Sequence, residues 1–221
     1  MFLIADLFER GGIFMLILLV GAMVGTVLGT FRLRRATTAR FTGLGAGIFL
    51  GLIATGLTGS FQGLTLTFEA VASANLATKE ELMRSGIDIA MTTTWASLVF
   101  AITLIPLHGV SAHRERKLPP AIPRMLPLGL GVGLSLLVLA QIGALFVFHT
   151  AMNGFFESMW AQSNGDAEAV AAYTVLVHHI ETTLGTGMGI GLVSIVLSLV
   201  MGTIGLVTGI KGSKNATEKQ E

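Results

Sequence analysis

Residues 41–68 read FTGLGAGIFLGLIATGLTGSFQGLTLTF, 28 residues without an Asp, Glu, Lys or Arg. Coiled as a helix, this stretch extends about 42 Å, more than the roughly 30 Å hydrocarbon core of a bilayer. Four further gaps share the property: residues 11–31, 89–113, 125–156 and 182–210, each at least 21 residues long. About 20 apolar residues span a membrane, so the pattern predicts five transmembrane helices and an all-α polytopic membrane protein. The bulk composition agrees. Across 221 residues the chain is 52% hydrophobic and 12% charged, with a mean hydropathy of +0.76, where soluble domains carry about 25% charge.

The same composition excludes several kinds of chemistry. Without cysteine there is no disulfide framework, thiolate metal site or Cys nucleophile. A net charge of +1 offers no basic surface for nucleic acid. No cofactor motif is visible, and the connectors between gaps are too short for a soluble catalytic domain, so the reading is non-enzymatic. The first gap could be taken for a signal peptide. Its leader holds Asp6, Glu9 and Arg10 and is not basic, so it reads as a retained helix.

Positive charge fixes the expected orientation. Arg32, Arg34, Arg35 and Arg40 follow the first gap, Arg114, Arg116, Lys117 and Arg124 follow the third, and Lys211, Lys214 and Lys219 follow the fifth. These are 11 of the 14 basic residues. The opposite connectors, 69–88 and 157–181, hold eight acids against Lys79 and Arg84. The chain therefore reads as N-terminus outside and C-terminus inside, multi-pass. It divides into a first helix (1–31), a helix hairpin (32–113), a second hairpin that resembles a repeat of the first (114–210) and a cytoplasmic tail (211–221). The inner connectors are about ten residues long, and the outer ones 10 to 20.

Helical spacing sorts the faces. Gly21, Gly25 and Gly29 lie four apart, a stripe that admits a neighbouring backbone. Gly56, Gly59, Ser60, Gly63 and Thr67 form a second small face, and Thr92, Thr93, Thr94 and Ser97 load the third span with hydroxyls. The threonines are explained equally well by bonds to their own i−4 carbonyls. In the fifth span His178, Glu181, Thr182, Gly185, Thr186 and Gly189 share one polar, small face. Ionisable groups in a membrane point to function unless they sit at the interface, and a His beside a Glu can relay protons near neutral pH. Asp88 and Glu69, at outer helix ends, are better explained as solvated interface residues, and the His178–Glu181 group is explained equally well that way. Two adjacent histidines without a spaced third ligand do not make a metal site.

The stretch GLTGSFQGLTLTF, Gly56 to Phe68, resembles a pattern of the MotA/TolQ/ExbB proton-channel family, G-L-x-G-T-V-x-G with a Phe five residues on. Gly56, Leu57, Gly59, Gly63 and Phe68 match, and Ser60 stands where the family has Thr. GIDIAMTTTWASLVFAI is similar to the family's next helix. Gly86, Ile87, Ala90, Thr94, Leu98, Ala101 and Ile102 match, with Met91 for Leu and Ser97 for Gly. The opening LFERGGIFMLILLVG also looks like an ExbB-type start, so the resemblance covers residues 5–108.

The resemblance implies a homo-oligomer, with a pentamer favoured, ringed around the transmembrane helices of a single-pass ExbD/TolR/MotB-like partner in the inner membrane. The partner supplies the proton-carrying Asp, and Ser60 and Thr94 become pore hydroxyls, joined by Ser97. Where ExbB and TolQ carry a Glu five residues before that Thr, this chain has Ile89, with Asp88 adjacent. ETTLGTGMGI, Glu181 to Ile190, reproduces the Glu-to-Thr-to-Gly spacing and nominates Thr186 for the pore; Glu181 with His178 on its face, and Asp88 beside Ile89, are the candidates for a proton relay. Gly185 and Gly189 join the expected packing glycines. Two alternatives stand beside the channel subunit: a small proton-coupled secondary transporter, although Pro106 and Pro127 lie near helix ends rather than breaking a span, and a non-conducting membrane scaffold.

Overall fold

A computed structural model describes residues 2–35, 41, 43–72, 74–115, 125–163 and 167–218. It contains five helices: α1 (Phe2–Arg35), α2 (Leu44–Ala72), α3 (Leu76–Glu115), α4 (Met125–Ser163) and α5 (Ala167–Glu218). All five carry a segment long and apolar enough to cross a membrane, and no strand occurs among the described residues. The expected all-α polytopic architecture is the one observed. Of the basic residues that fix the orientation, Arg40, Arg116, Lys117, Arg124 and Lys219 lie outside the described residues, as do the side chains of Asp6, Glu9, Arg10 and Lys214.

The membrane segment of α1 begins at a break. Gly12 adopts φ 54° and ψ −144° inside the helix, a conformation open to glycine because it lacks a Cβ. The charged opening thus changes direction before the apolar Gly12–Arg35 span begins.

The central element is α2, with 61% of its apolar window buried against 17% for α4. Glycines and small residues on several faces let its neighbours in. A Cβ on Gly47 would stand 2.9 Å from the Gly202 nitrogen of α5, one on Gly59 2.8 Å from the Phe14 Cβ of α1, and one on Gly63 2.8 Å from the Ala90 Cβ of α3. Close backbone approach replaces the hydrophobic drive that lipid does not supply. The two hairpins, α2–α3 and α4–α5, consequently sit in unlike environments: the first helix of one is enclosed, and that of the other faces outward. Their sequence likeness does not extend to equivalent positions in the fold.

The outer connectors differ from expectation. Only residues 73–75 and 164–166 separate the helices there, and the acidic stretches around them continue the helices instead of forming 10- to 20-residue loops. At 52 residues, α5 is about 78 Å long, more than twice the hydrocarbon thickness. These projecting turns are held by an apolar cluster that includes Phe61, Phe68, Met83, Phe148, Phe155 and Ile180. Phe155 is its hub, with ring centroids 5.5 Å from Phe68, 5.8 Å from Phe156 and 5.2 Å from Tyr173. Burying such a core makes extended helices more favourable than solvated loops.

Candidate functional site

The two stretches that carry the family resemblance meet in the seam between α2 and α3. Ser60 is fully buried; its hydroxyl donates to the Ala90 carbonyl at 2.7 Å and lies 2.7 Å from Thr94 Oγ1 and 3.1 Å from Thr93 Oγ1. Thr93 Oγ1 reaches the Gly56 carbonyl at 3.0 Å. A hydroxyl carries one proton, which allows one allocation using the shortest bonds. Thr94 donates to Ser60, Ser60 to Ala90, and Thr93 to Gly56. The three protons are spent inside the seam. The half-buried Thr94 oxygen is left as the acceptor at its edge.

The other residues expected to line a pore are placed differently from one another. Ser60 and Ser97 are both 0% exposed. Ser97 donates to its own helix at the Thr94 carbonyl, 2.8 Å away, and packs where a side chain on Gly56 would have to go. Within this chain both serines join α2 to α3 and line no open surface; Thr94 alone reaches the margin. Thr186 is exposed on α5 and is not brought to this seam.

The glycines divide in the same way. Gly21 packs on Leu52, Gly25 on Leu104 and Ile48, and Gly29 on Leu107 and His108. Gly56 packs on Ser97, Gly59 on Phe14 and Gly63 on Ala90. Within this chain Gly185 and Gly189 pack against no neighbouring helix, since a Cβ there would meet nothing within 4 Å. Their neighbours Gly187 and Gly191 make the contacts instead, against Phe61 and against Thr58 and Gln141. The α5 face that packs on α2 is rotated away from the polar face chosen by spacing.

His178, Glu181 and Asp88 all lie exposed toward the outer ends of α5 and α3. Thirty residues separate Glu181 from the basic Lys211 at the other end of α5, or about 45 Å of helix against a hydrocarbon core of roughly 30 Å. That spacing puts Glu181 at the outer interface, which favours solvation over an intramembrane relay. Thr182 and Thr183 donate to the His178 and His179 carbonyls at 2.8 Å, the back-bonding expected of threonine in membrane helices.

Two buried polar groups escaped the sequence reading. At the basic end, Arg32 Nε donates to Glu115 Oε1 at 2.6 Å and Nη2 to Oε2 at 2.9 Å, with side chains 6% and 3% exposed. Glu115 Oε2 also accepts the Phe41 N–H at 3.2 Å. His108 Nε2 lies 3.2 Å from the Gly25 carbonyl and Nδ1 3.5 Å from Arg32 Nη1, so the ring acts as donor to Gly25 and acceptor from Arg32. In the middle of the bundle Gln141 is fully buried, its Nε2 3.3 Å from Thr58 Oγ1 and 3.5 Å from the Gly187 carbonyl, while its Oε1 has no partner. A signal existed for each. Glu115 is the one acid in the expected inner connectors, and Gln141 is the one amide in the first three-quarters of its charge-free span.

Among the described residues no group of three His, Cys, Asp or Glu could hold a metal ion. The seam can pass hydrogen bonds along hydroxyls but holds no titratable group of its own. No family model, curated protein or solved structure matches this chain.

Proposed function

We propose that this chain is a non-enzymatic subunit of an inner-membrane energy-coupling or motor complex, forming a homo-oligomeric ring around the transmembrane helices of a single-pass partner and lining a proton path. The observation that carries the reading is the 2.7 Å approach of Ser60 Oγ to Thr94 Oγ1 across the α2–α3 seam. Two family-like stretches, 34 residues apart in the chain at these positions, converge on one hydroxyl cluster. In this reading Thr94 is the hydroxyl that the path touches, Ser60 orients it from behind, and Ser97 serves packing. The proton carrier comes from the partner, because the seam contains none. At the basic end of the bundle Gly43, just before α2, and Ala46 and Leu50 of α2 border a cleft of about 550 Å³ toward α4, and neighbouring subunits or the partner have surface to fill there.

The test is the mass of the assembly. Native mass spectrometry of the protein purified in mild detergent should give five copies of this chain with two copies of a small single-span protein. In vesicles holding that complex, Thr94→Val should abolish proton flux while the assembly mass stays unchanged. A monomer or dimer that transports a solute with protons would replace this reading with the secondary transporter. An assembly that passes no protons in any state would replace it with the scaffold.

A further inference from the structure

A second groove lies on the other side of α2, between α1 and α5. Its walls run from Ile17 to Leu28 on α1 and from Ile195 to Leu206 on α5, and Gly47 and Gly51 of α2 form its floor. The lining is mostly apolar, with the hydroxyl residues Thr55, Ser198 and Thr203 among it, and the cavity measures about 310 Å³. Ile17 to Leu28 spans about 16 Å of helix, close to half of a roughly 30 Å hydrocarbon core. The groove is therefore about half a hydrocarbon core long and lies in the middle of the Gly12–Arg35 span, with its Leu28 end toward the basic residues.

The same helix faces continue past the groove into a polar end. One turn and two turns beyond Leu28, α1 presents Phe31 and Arg35; two turns beyond Leu206, α5 presents Ser213. Arg35 Nη1 donates to Ser213 Oγ at 2.6 Å, and its guanidinium lies 5.7 Å from the Phe31 ring centre. The exposed Arg34 and Lys211 add positive charge at the same level. An apolar slot followed, two turns further along the same helices, by a guanidinium and a hydroxyl suits a molecule with an apolar chain and an anionic head.

We propose that the α1–α5 groove binds an acidic phospholipid of the inner leaflet, one acyl chain lying between α1 and α5 and the phosphate diester against Arg35 and Ser213. Arginine suits this role because its planar fork pairs two phosphate oxygens at once. The net negative charge of the lipid complements the basic rim. Arg35 and Ser213 already tie α1 to α5, so the lipid would complete a seam in which the two helices otherwise stand apart over α2.

The experiment uses the full chain in nanodiscs of phosphatidylethanolamine and phosphatidylglycerol at three to one, followed by release into native mass spectrometry. The wild type should keep one phosphatidylglycerol per chain in preference to phosphatidylethanolamine. Arg35→Gln should lower that retention about fivefold, the worth of one basic residue at an anionic surface, and Arg35→Lys should recover part of it. Gly202→Leu fills the slot from a position where an added Cβ meets nothing within 4 Å, and it should lower retention of both lipids. Equal retention in wild type, Arg35→Gln and Gly202→Leu would overturn the site. The chain lacks cysteine, so Thr203→Cys provides a single reporter in the groove. A disulfide-linked dimer through Cys at that position, or a crosslink to a partner protein, would mean that protein and not lipid fills the groove.

Discussion

Arg32 and Glu115 form a two-pronged ion pair, 2.6 and 2.9 Å long, between the last turn of α1 and the last turn of α3. The carboxylate takes a third hydrogen bond from the Phe41 N–H just before α2. One buried pair thus registers three helices at the basic end of the bundle. Removing one partner leaves the other charge buried and alone, which costs about 3–5 kcal/mol. Arg32→Met and Glu115→Leu should each lower thermal stability in detergent strongly, and the double variant should recover much of the loss. A double variant as unstable as the singles would mean that the pair is not the coupling unit.

The glycines of α5 give a paired test. Gly185→Ala adds a Cβ where nothing stands within 4 Å, whereas Gly187→Ala pushes one into the Phe61 ring. The first should leave the isolated chain as stable as the wild type or raise stability by up to about 1 kcal/mol through helix propensity. The second forces α5 away from α2 and should cost about 1–3 kcal/mol as overpacking does. Urea or sodium dodecyl sulfate titration of both variants reads the difference. The reverse order would mean that α5 packs through its polar face.

How far the sequence revealed the molecule depends on what each residue reports. The five spans were legible because a charge-free run of over 20 residues has one stable fate in water or lipid. The α2 packing glycines were legible from spacing alone. On α5 spacing misled, because Gly185, Gly187, Gly189 and Gly191 alternate and lie on two faces, and only the position of Phe61 and Gln141 decides which face turns inward. Arg32 and Glu115 were hidden by the very rule that gave the topology. Arg32, counted as a connector charge, reads as solvated and Glu115 draws no reading at all, but helix ends that converge can bury both. The outer acids were read as loops for a related reason: charge reports distance from the bilayer and says nothing about whether a helix ends there.

Gln141 offers a test of a buried amide with one unmet oxygen. Its Nε2 has Thr58 and Gly187 within reach, while Oε1 has no partner. An unsatisfied buried polar atom costs about 1–3 kcal/mol, and an apolar replacement of similar shape removes that cost. Gln141→Leu should therefore unfold no earlier than the wild type, and Gln141→Ala, which leaves a void beside Gly191, should unfold earlier. If Gln141→Leu instead lost about 2 kcal/mol or more, the amide would be contributing more through Thr58 and Gly187 than its orphan oxygen costs.

Ser60 and Thr94 separate packing from conduction most directly. Ser60→Ala removes the acceptor of the Thr94 proton and frees the Ala90 carbonyl, at a stability cost of about 1–3 kcal/mol for buried groups left unpaired. Thr94→Ser keeps the hydroxyl and its bond to Ser60, while Thr94→Val keeps the shape and removes the bond. If the seam only packs, Thr94→Val should be less stable than Thr94→Ser, and flux through the assembled complex should follow stability across all three variants. If Thr94 also meets the proton path, Thr94→Val should lose flux out of proportion to its stability, and Thr94→Ser should retain it. Ser60→Ala should then fall between them, because Thr94 keeps its hydroxyl but can turn it toward the Gly56 carbonyl, now 3.5 Å away. Measuring flux and unfolding on the same preparations distinguishes the two cases.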